Sequence, residues 1–271
     1  MTFTPILTST GYSGWTFLKR TLATQQTTFD KSPEIKRDID YFNAKIGSVK
    51  TADQLVGDRR LLKIALGAFG LDNDIDSKAF IKKILTDGTL KTSSLSNKLA
   101  DKSYQRLSAA FGFGDFAVPR TQLSTFGAEI TSAYQQRQFE SAVGDQDNSL
   151  RLALNAQREI PALASKQTSE DTKWYTILGS TPLRSVVQAA LGLPDSTASL
   201  DVDKQLVMFK DRASKVFGES SVKQFTDGTK LESLVRRYLV KTQADQYQST
   251  SSSFVLNSLA QTRSMMRSWR F

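Results

Sequence analysis

The sequence predicts an all-α, multihelical protein, on three observations. Apolar residues recur every three or four positions along nearly the whole chain, as one face of a helix requires. Alternating apolar and polar runs bounded by turn residues, the mark of strands, are nearly absent. Two 17-residue segments align without a gap at an offset of 122, suggesting two similar helical halves formed by internal duplication.

The elements follow in order. Trp15, Leu18 and Leu22 stand at helical spacing with Lys19 and Arg20 between them, predicting a short helix in an N-terminal segment, 1–30. Ser32-Pro33-Glu34 reads as N-cap, first-turn proline and first-turn acid, and Ile35, Ile39, Phe42 and Ile46 continue one face to Gly47. Thr51 and Gln54 fit a capping box for a segment ending near Gly57. Asp58 then caps Leu61 to Phe69, closed by Gly70. Asp76 or Ser77 starts a helix carrying Phe80, Ile81, Ile84 and Leu85 to Gly88, and Leu95 to Phe111 carry a further helical stretch to Gly112. A longer helix is expected over 124–143, and another over 145–164 until Pro161 disturbs it. Later segments are expected at 173–178, 182–191, 201–217 and 229–247, then a short amphipathic stretch at 254–266. The domain reading is 1–30, a first helical half at 31–150, a second at 151–247, and a basic tail at 248–271.

The repeated segments are Leu55–Leu71 and Ile177–Leu193. Gly57/Gly179, Leu61/Leu183, Ala68/Ala190, Gly70/Gly192 and Leu71/Leu193 are identical. Each reads as a short helix, a Gly turn, a second helix, a Gly cap and an apolar residue that packs back on the helix end. Ala110-Phe111-Gly112 has a counterpart in Val216-Phe217-Gly218, with the second half shorter by about 16 residues.

Composition narrows the chemistry. The 271 residues include no His and no Cys. This excludes disulfides, thiol nucleophiles, Cys-bound zinc, a Ser-His-Asp triad and imidazole acid–base catalysis. Carboxylate, Lys, Tyr and Arg chemistry remain. The hydrophobic share of 39% and charged share of 23% suit a folded chain rather than a disordered one. No apolar run is long enough to span a bilayer, and the N-terminus has no basic n-region or long apolar core. The expected location is cytoplasmic.

No motif closes into a catalytic or metal site. Asp72, Asp74 and Asp76 resemble the start of a calcium loop, but the glycine and closing glutamate such a loop needs are Ser77 and Lys83. Gly88-Thr-Leu-Lys91-Thr92 lacks the order of a phosphate loop. Gly112 and Gly114 follow a helix, not the strand of a dinucleotide site. Ser220-x-x-Lys223 lacks the companion motifs of acyl-transfer enzymes. The expectation is no catalytic, cofactor-binding or metal-binding residues and no cofactor.

The net charge of +9 is spread along the chain, with basic pairs at Arg59-Arg60, Lys82-Lys83 and Arg236-Arg237. Residues 246–271 contain no acid, and Arg263, Arg267 and Arg270 stand there beside Trp269 and Phe271. Arginine with aromatic surface binds acidic protein, nucleic acid or anionic membrane. Arg263, Arg267, Trp269 and Arg270 are therefore partner-binding candidates, against the plainer reading of a solvated tail. Trp15 and Arg20 are candidates of the same kind, with core packing as the competing reading.

Specific residues also resemble a known family. They are Gly14-Trp-Thr-Phe-Leu18, Arg20-Thr21, Gln25-Gln26, Ser32-Pro33-Glu34-Ile35, Arg37-Asp38, Thr51-Ala52, Leu55-Val56, the run Asp58-Arg-Arg-Leu-Leu-Lys-Ile-Ala-Leu-Gly-Ala-Phe-Gly-Leu-Asp72, Leu99-Ala-Asp101 and Ala110-Phe-Gly-Phe113. This pattern is similar to alphaproteobacterial proteins grouped as a domain of unknown function and often encoded among flagellar genes. It is densest over residues 14–115. The resemblance implies a multihelical protein of flagellar assembly or motility, with protein partners among flagellar components and residence at, or export through, the flagellar apparatus. It carries over no catalytic roles. The rival readings are an enzyme using carboxylate, Lys or Tyr chemistry, and a basic protein binding nucleic acid or anionic membrane through its tail.

Overall fold

The computed structural model describes residues 3–247, which are mainly helical, with no strand among them. The helices are α1 (Gly11–Asp30), α2 (Pro33–Lys45), α3 (Ala52–Gly57), α4 (Arg59–Phe69), α5 (Lys78–Asp87), α6 (Leu95–Lys98), α7 (Ser103–Phe111), α8 (Phe126–Gly144), α9 (Asn148–Ala164), α10 (Glu170–Gly179), α11 (Thr181–Leu191) and α12 (Val202–Phe217). A last helix, α13, covers 228–247. No helix among the described residues is long and apolar enough to cross a membrane.

The chain forms two compact units. Among the described residues, one comprises 3–8, Thr16–Arg151 and Gly179–Thr181; the other comprises Ser9–Trp15, Leu152–Leu178 and 182–247. In the first unit α4 is central. Its Leu61, Leu62, Ile64, Ala65, Leu66 and Ala68 are all buried, and it packs on α2 and α8. Phe111 and Phe126 meet edge to face, ring centres 5.0 Å apart, where α7 and α8 converge. In the second unit Trp174 is fully buried, donates its indole N–H to the Ser220 carbonyl at 2.8 Å, and stands edge to face with Phe209.

Local chemistry sets the helix ends. Asp58 caps α4 by accepting the Arg60 and Leu61 N–H groups at 2.9 and 3.1 Å. Thr51 accepts the Gln54 N–H, while Gln54 reaches one residue further back than a capping box requires, to the Lys50 N–H. Gly70 adopts φ +75°, and the N–H groups of Gly70 and Leu71 return to Gly67 and Leu66. Gly192, at φ +68°, does the same with Leu193, returning to Ala189 and Gln188. Both are paired helix-end bonds of the Schellman type. At the offset of 122, α4 and α11 share both bounds, and α3 and α10 share their last residue.

Four details differ from the sequence expectation. The N-terminal helix is not short: α1 has 20 residues. The expected stretch from Leu95 to Phe111 breaks into α6 and α7, and Lys102 ties the intervening turn by donating to the Asn97 and Leu99 carbonyls. Helix α10 begins at Glu170, earlier than expected, because Ser169 accepts the Thr172 N–H at its start. Pro161 does not end α9, which runs on to Ala164. Proline removes one backbone donor, but Ile160, Leu163 and Ala164 are buried around it and hold the last turn in place.

Candidate functional site

The residues marked by sequence for partner binding divide three ways. Arg263, Arg267, Trp269 and Arg270 lie outside the described residues. Trp15 is fully buried, and its indole N–H donates to Glu232 Oε1 at 3.0 Å, an oxygen that also accepts the Tyr12 hydroxyl. Its spacing with the equally buried Leu18 therefore marks a core-facing side, and Trp15 is corrected from a docking residue to a packing residue. Arg20 is exposed, its guanidinium 5.7 Å from the Phe17 ring centre. Five residues separate Trp15 from Arg20, about 140° around a helix, so the two cannot share one surface.

The carboxylates of the Asp72–Asp76 stretch point to different partners. Asp72 accepts from Gln138, Asp74 accepts the Tyr104 hydroxyl at 2.7 Å, and Asp76 pairs with Arg59 at 2.7 Å. Among the described residues no group of three acidic side chains stands close enough to hold a metal ion. The Gly112–Asp115 turn serves the fold: Asp115 accepts from the Thr89 N–H, the Thr89 hydroxyl and the Leu90 N–H, strapping one loop to another. Ser221, not Ser220, performs the capping in the Ser220–Lys223 stretch, accepting the Lys223 N–H.

The perturbed titratable groups are held by protein partners. Tyr134 on α8 donates to Asp38 on α2 at 3.2 Å, and Lys63 on α4 reaches the same carboxylate oxygen at 2.8 Å. Burial, followed by the charge of Asp38, pushes the Tyr134 phenol far above its ordinary value. Burial also acts to raise Asp58, but the Tyr41 hydroxyl at 2.6 Å and the Leu61 and Arg60 N–H groups outweigh it and hold the carboxyl below the usual range. In the second unit Lys173 is buried and donates to both the Ala164 carbonyl and Glu170 at 2.9 Å. Glu170 in turn accepts the Val222 N–H at 2.6 Å. These arrangements fasten one helix or turn to the next.

A groove of about 430 Å³ lies in the second unit, between the end of α11 and α13. Ala189 and Gly192 line one side, and Arg236, Val240, Lys241 and Ala244 line the other. Val240 is an exposed large apolar residue there, at 51%. Arg237 Nε donates to the Ala190 carbonyl and Arg212 Nε to the Leu191 carbonyl, so two guanidiniums satisfy the last carbonyls of α11. Arg236 extends over the Tyr12 ring, and Lys241 pairs with Asp245 one turn along α13. A second hollow, of about 410 Å³ in the first unit, is lined by Asn43, Gly47, Thr121 and Gln122 among others. Its Thr121 and Gln122 side chains are spent on the Val49 and Gly47 carbonyls. The sequence alone marks Arg236-Arg237 only as a basic pair. The signal for the groove was the spacing of 236, 240 and 244 along one line of α13, which becomes a surface only beside α11.

Comparison with known proteins agrees with this multihelical fold. The family described as protein of unknown function (DUF1217) matches residues 68–231. A crystal structure of a protein from Agrobacterium tumefaciens is similar to this chain with a TM-score of 0.71 and 25% sequence identity, over 89% of this chain and 96% of that one. No curated protein matches the chain.

Proposed function

The chain belongs to this family of proteins of unknown function, and we propose that it is a non-enzymatic helical interaction protein associated with the bacterial flagellum. The observation that carries the interaction reading is the α11–α13 groove, an apolar floor with cations along its edge on two fixed helices. The flagellar assignment rests on the sequence resemblance centred on Asp58–Asp72. The shared bounds of α4 and α11 support descent of the two halves from one duplicated helical unit. The titratable clusters are spent on holding helices together, which favours a recognition role over catalysis.

The test is a clean deletion of the gene. Loss of swimming or a reduced number of filaments, restored by the gene in trans, is the expected result. Wild-type swimming and filament number in the deletion strain overturn the flagellar assignment. The acid-free stretch 246–271 favours a second reading, attachment to an anionic polymer or membrane. That reading requires binding that weakens steeply with salt and disappears on removal of residues 248–271.

A further inference from the structure

We propose that the α11–α13 groove docks an acidic amphipathic helix of a partner protein. This rests on the interaction reading above and names the chemistry of the partner. Three features of the second unit lead there.

The first is an opening where the first unit is filled. At the offset of 122 Ala189 and Gly192 correspond to Gly67 and Gly70. The α4–α8 seam is closed over those glycines: a methyl group added at Gly67 would sit 2.8 Å from the Tyr134 ring, and one at Gly70 would sit 2.7 Å from Arg137 Nη1. Around Gly192 the nearest atom to such a methyl is Arg212 Nη2, at 3.7 Å, and the seam stands open as the groove.

The second is shape. Positions 236, 240 and 244 run along α13 for two helical turns, roughly 12 Å. The small side chains of Ala189, Gly192 and Ala244 leave room for the apolar residues that a helix presents at every third or fourth position.

The third is charge. Arg212 and Arg237 already neutralise the negative end of α11. Arg236 and Lys241 add further positive charge beside the groove; Asp245 pairs with Lys241, and Glu232, one turn before Arg236, is held by the Trp15 and Tyr12 side chains. A second copy of this chain brings a net charge of +9, and the chain's own residues 248–271 bring Arg263, Arg267 and Arg270 with no acid. Both are of the wrong sign for this edge. A helix with Asp and Glu flanking an apolar stripe is of the right one.

The experiment uses the full-length protein and three labelled amphipathic helical peptides. All share one leucine-rich face, and the opposite face is Glu, Lys or Gln. Fluorescence anisotropy should show binding of the Glu peptide at least tenfold tighter than either of the others. Val240→Glu and Lys241→Glu, each with unchanged circular dichroism, should each weaken the Glu peptide at least tenfold. Equal binding of the three peptides, no binding, or binding indifferent to both substitutions overturns the proposal. Self-association abolished by Val240→Glu assigns the groove to a second copy and overturns it as well. So does a chain ending at residue 247 that binds the Glu peptide more than tenfold tighter, because the tail is then the occupant. Swimming of the deletion strain carrying each variant separates the two readings. A variant that has lost the peptide yet fully restores swimming removes the groove and leaves the flagellar role. A deletion that swims normally removes the flagellar role and leaves the groove.

Discussion

Tyr134 lies with its ring against Gly67, the α8 side chain occupying the space that any side chain on this turn of α4 would need. The ring is buried, and its hydroxyl is fixed to Asp38, so it cannot swing away. Gly67→Ala gains about 1 kcal/mol of helix propensity but overpacks this contact by about 1–3 kcal/mol. A lower urea midpoint is expected. The reverse change in the second unit, Ala189→Gly, meets no such ring and should cost only the propensity term. Equal effects of opposite sign at the two positions would show that helix propensity alone governs both.

The tyrosines predict alkaline instability. Burial, then the Asp74 hydrogen bond, pushes Tyr104 up to about 12, and burial pushes Tyr134 higher than its ordinary value of 10 as well. The folded state therefore favours the protonated phenols. Their contribution is fully present below pH 10 and is lost as pH rises through the folded values. Phenolate absorbance should leave these two residues silent at pH 10 and report them together with unfolding above it. Tyr134→Phe should flatten the alkaline decline while costing about 1 kcal/mol near neutrality for the lost hydrogen bond.

Asp58 does two jobs, capping α4 and accepting from Tyr41. Asp58→Ala should cost about 1–2 kcal/mol at neutral pH, and Asp58→Asn, which keeps a cap oxygen, less. Because the folded value is lowered, the carboxylate's contribution is present above the ordinary Asp value of 3.8 and lost as pH falls through the lowered one. Thermal melts should place the mutant and wild-type curves closest at the acidic end. A constant gap across the acid range would show that the charge on Asp58 contributes nothing.

Lys173 and Glu170 form an asymmetric pair. The ammonium is 4% exposed, while the carboxylate is a third exposed. Glu170→Gln removes the counter-charge of a buried ammonium, which keeps its bond to the Ala164 carbonyl, and should cost about 3 kcal/mol. Lys173→Met removes the charge itself and should cost less. The double variant should be more stable than the sum of the single effects implies, as measured by chemical denaturation.

What the sequence carried plainly is what local bonding writes. The Asp58 cap, the glycine at each helix end and the residue packed back behind it depend on atoms within one turn, so Gly70-Leu71 and Gly192-Leu193 were readable before any fold was known. Trp15 was not: helical spacing gives a face but not what covers it, and Glu232, more than two hundred residues away, takes its indole N–H. Pro161 misled for the same reason, because burial of its neighbours outweighs one missing donor.

The sequence by itself thus determined the all-helical class, most helix boundaries and the lack of imidazole and thiol chemistry, since these follow from periodicity, capping and composition. Only the tertiary structure decided where a groove opens on the second unit. Arg236, Val240 and Ala244 form an ordinary line on α13 until Ala189 and Gly192 stand beside them. The groove is the space left between two packed helices, and such a space belongs to neither helix alone.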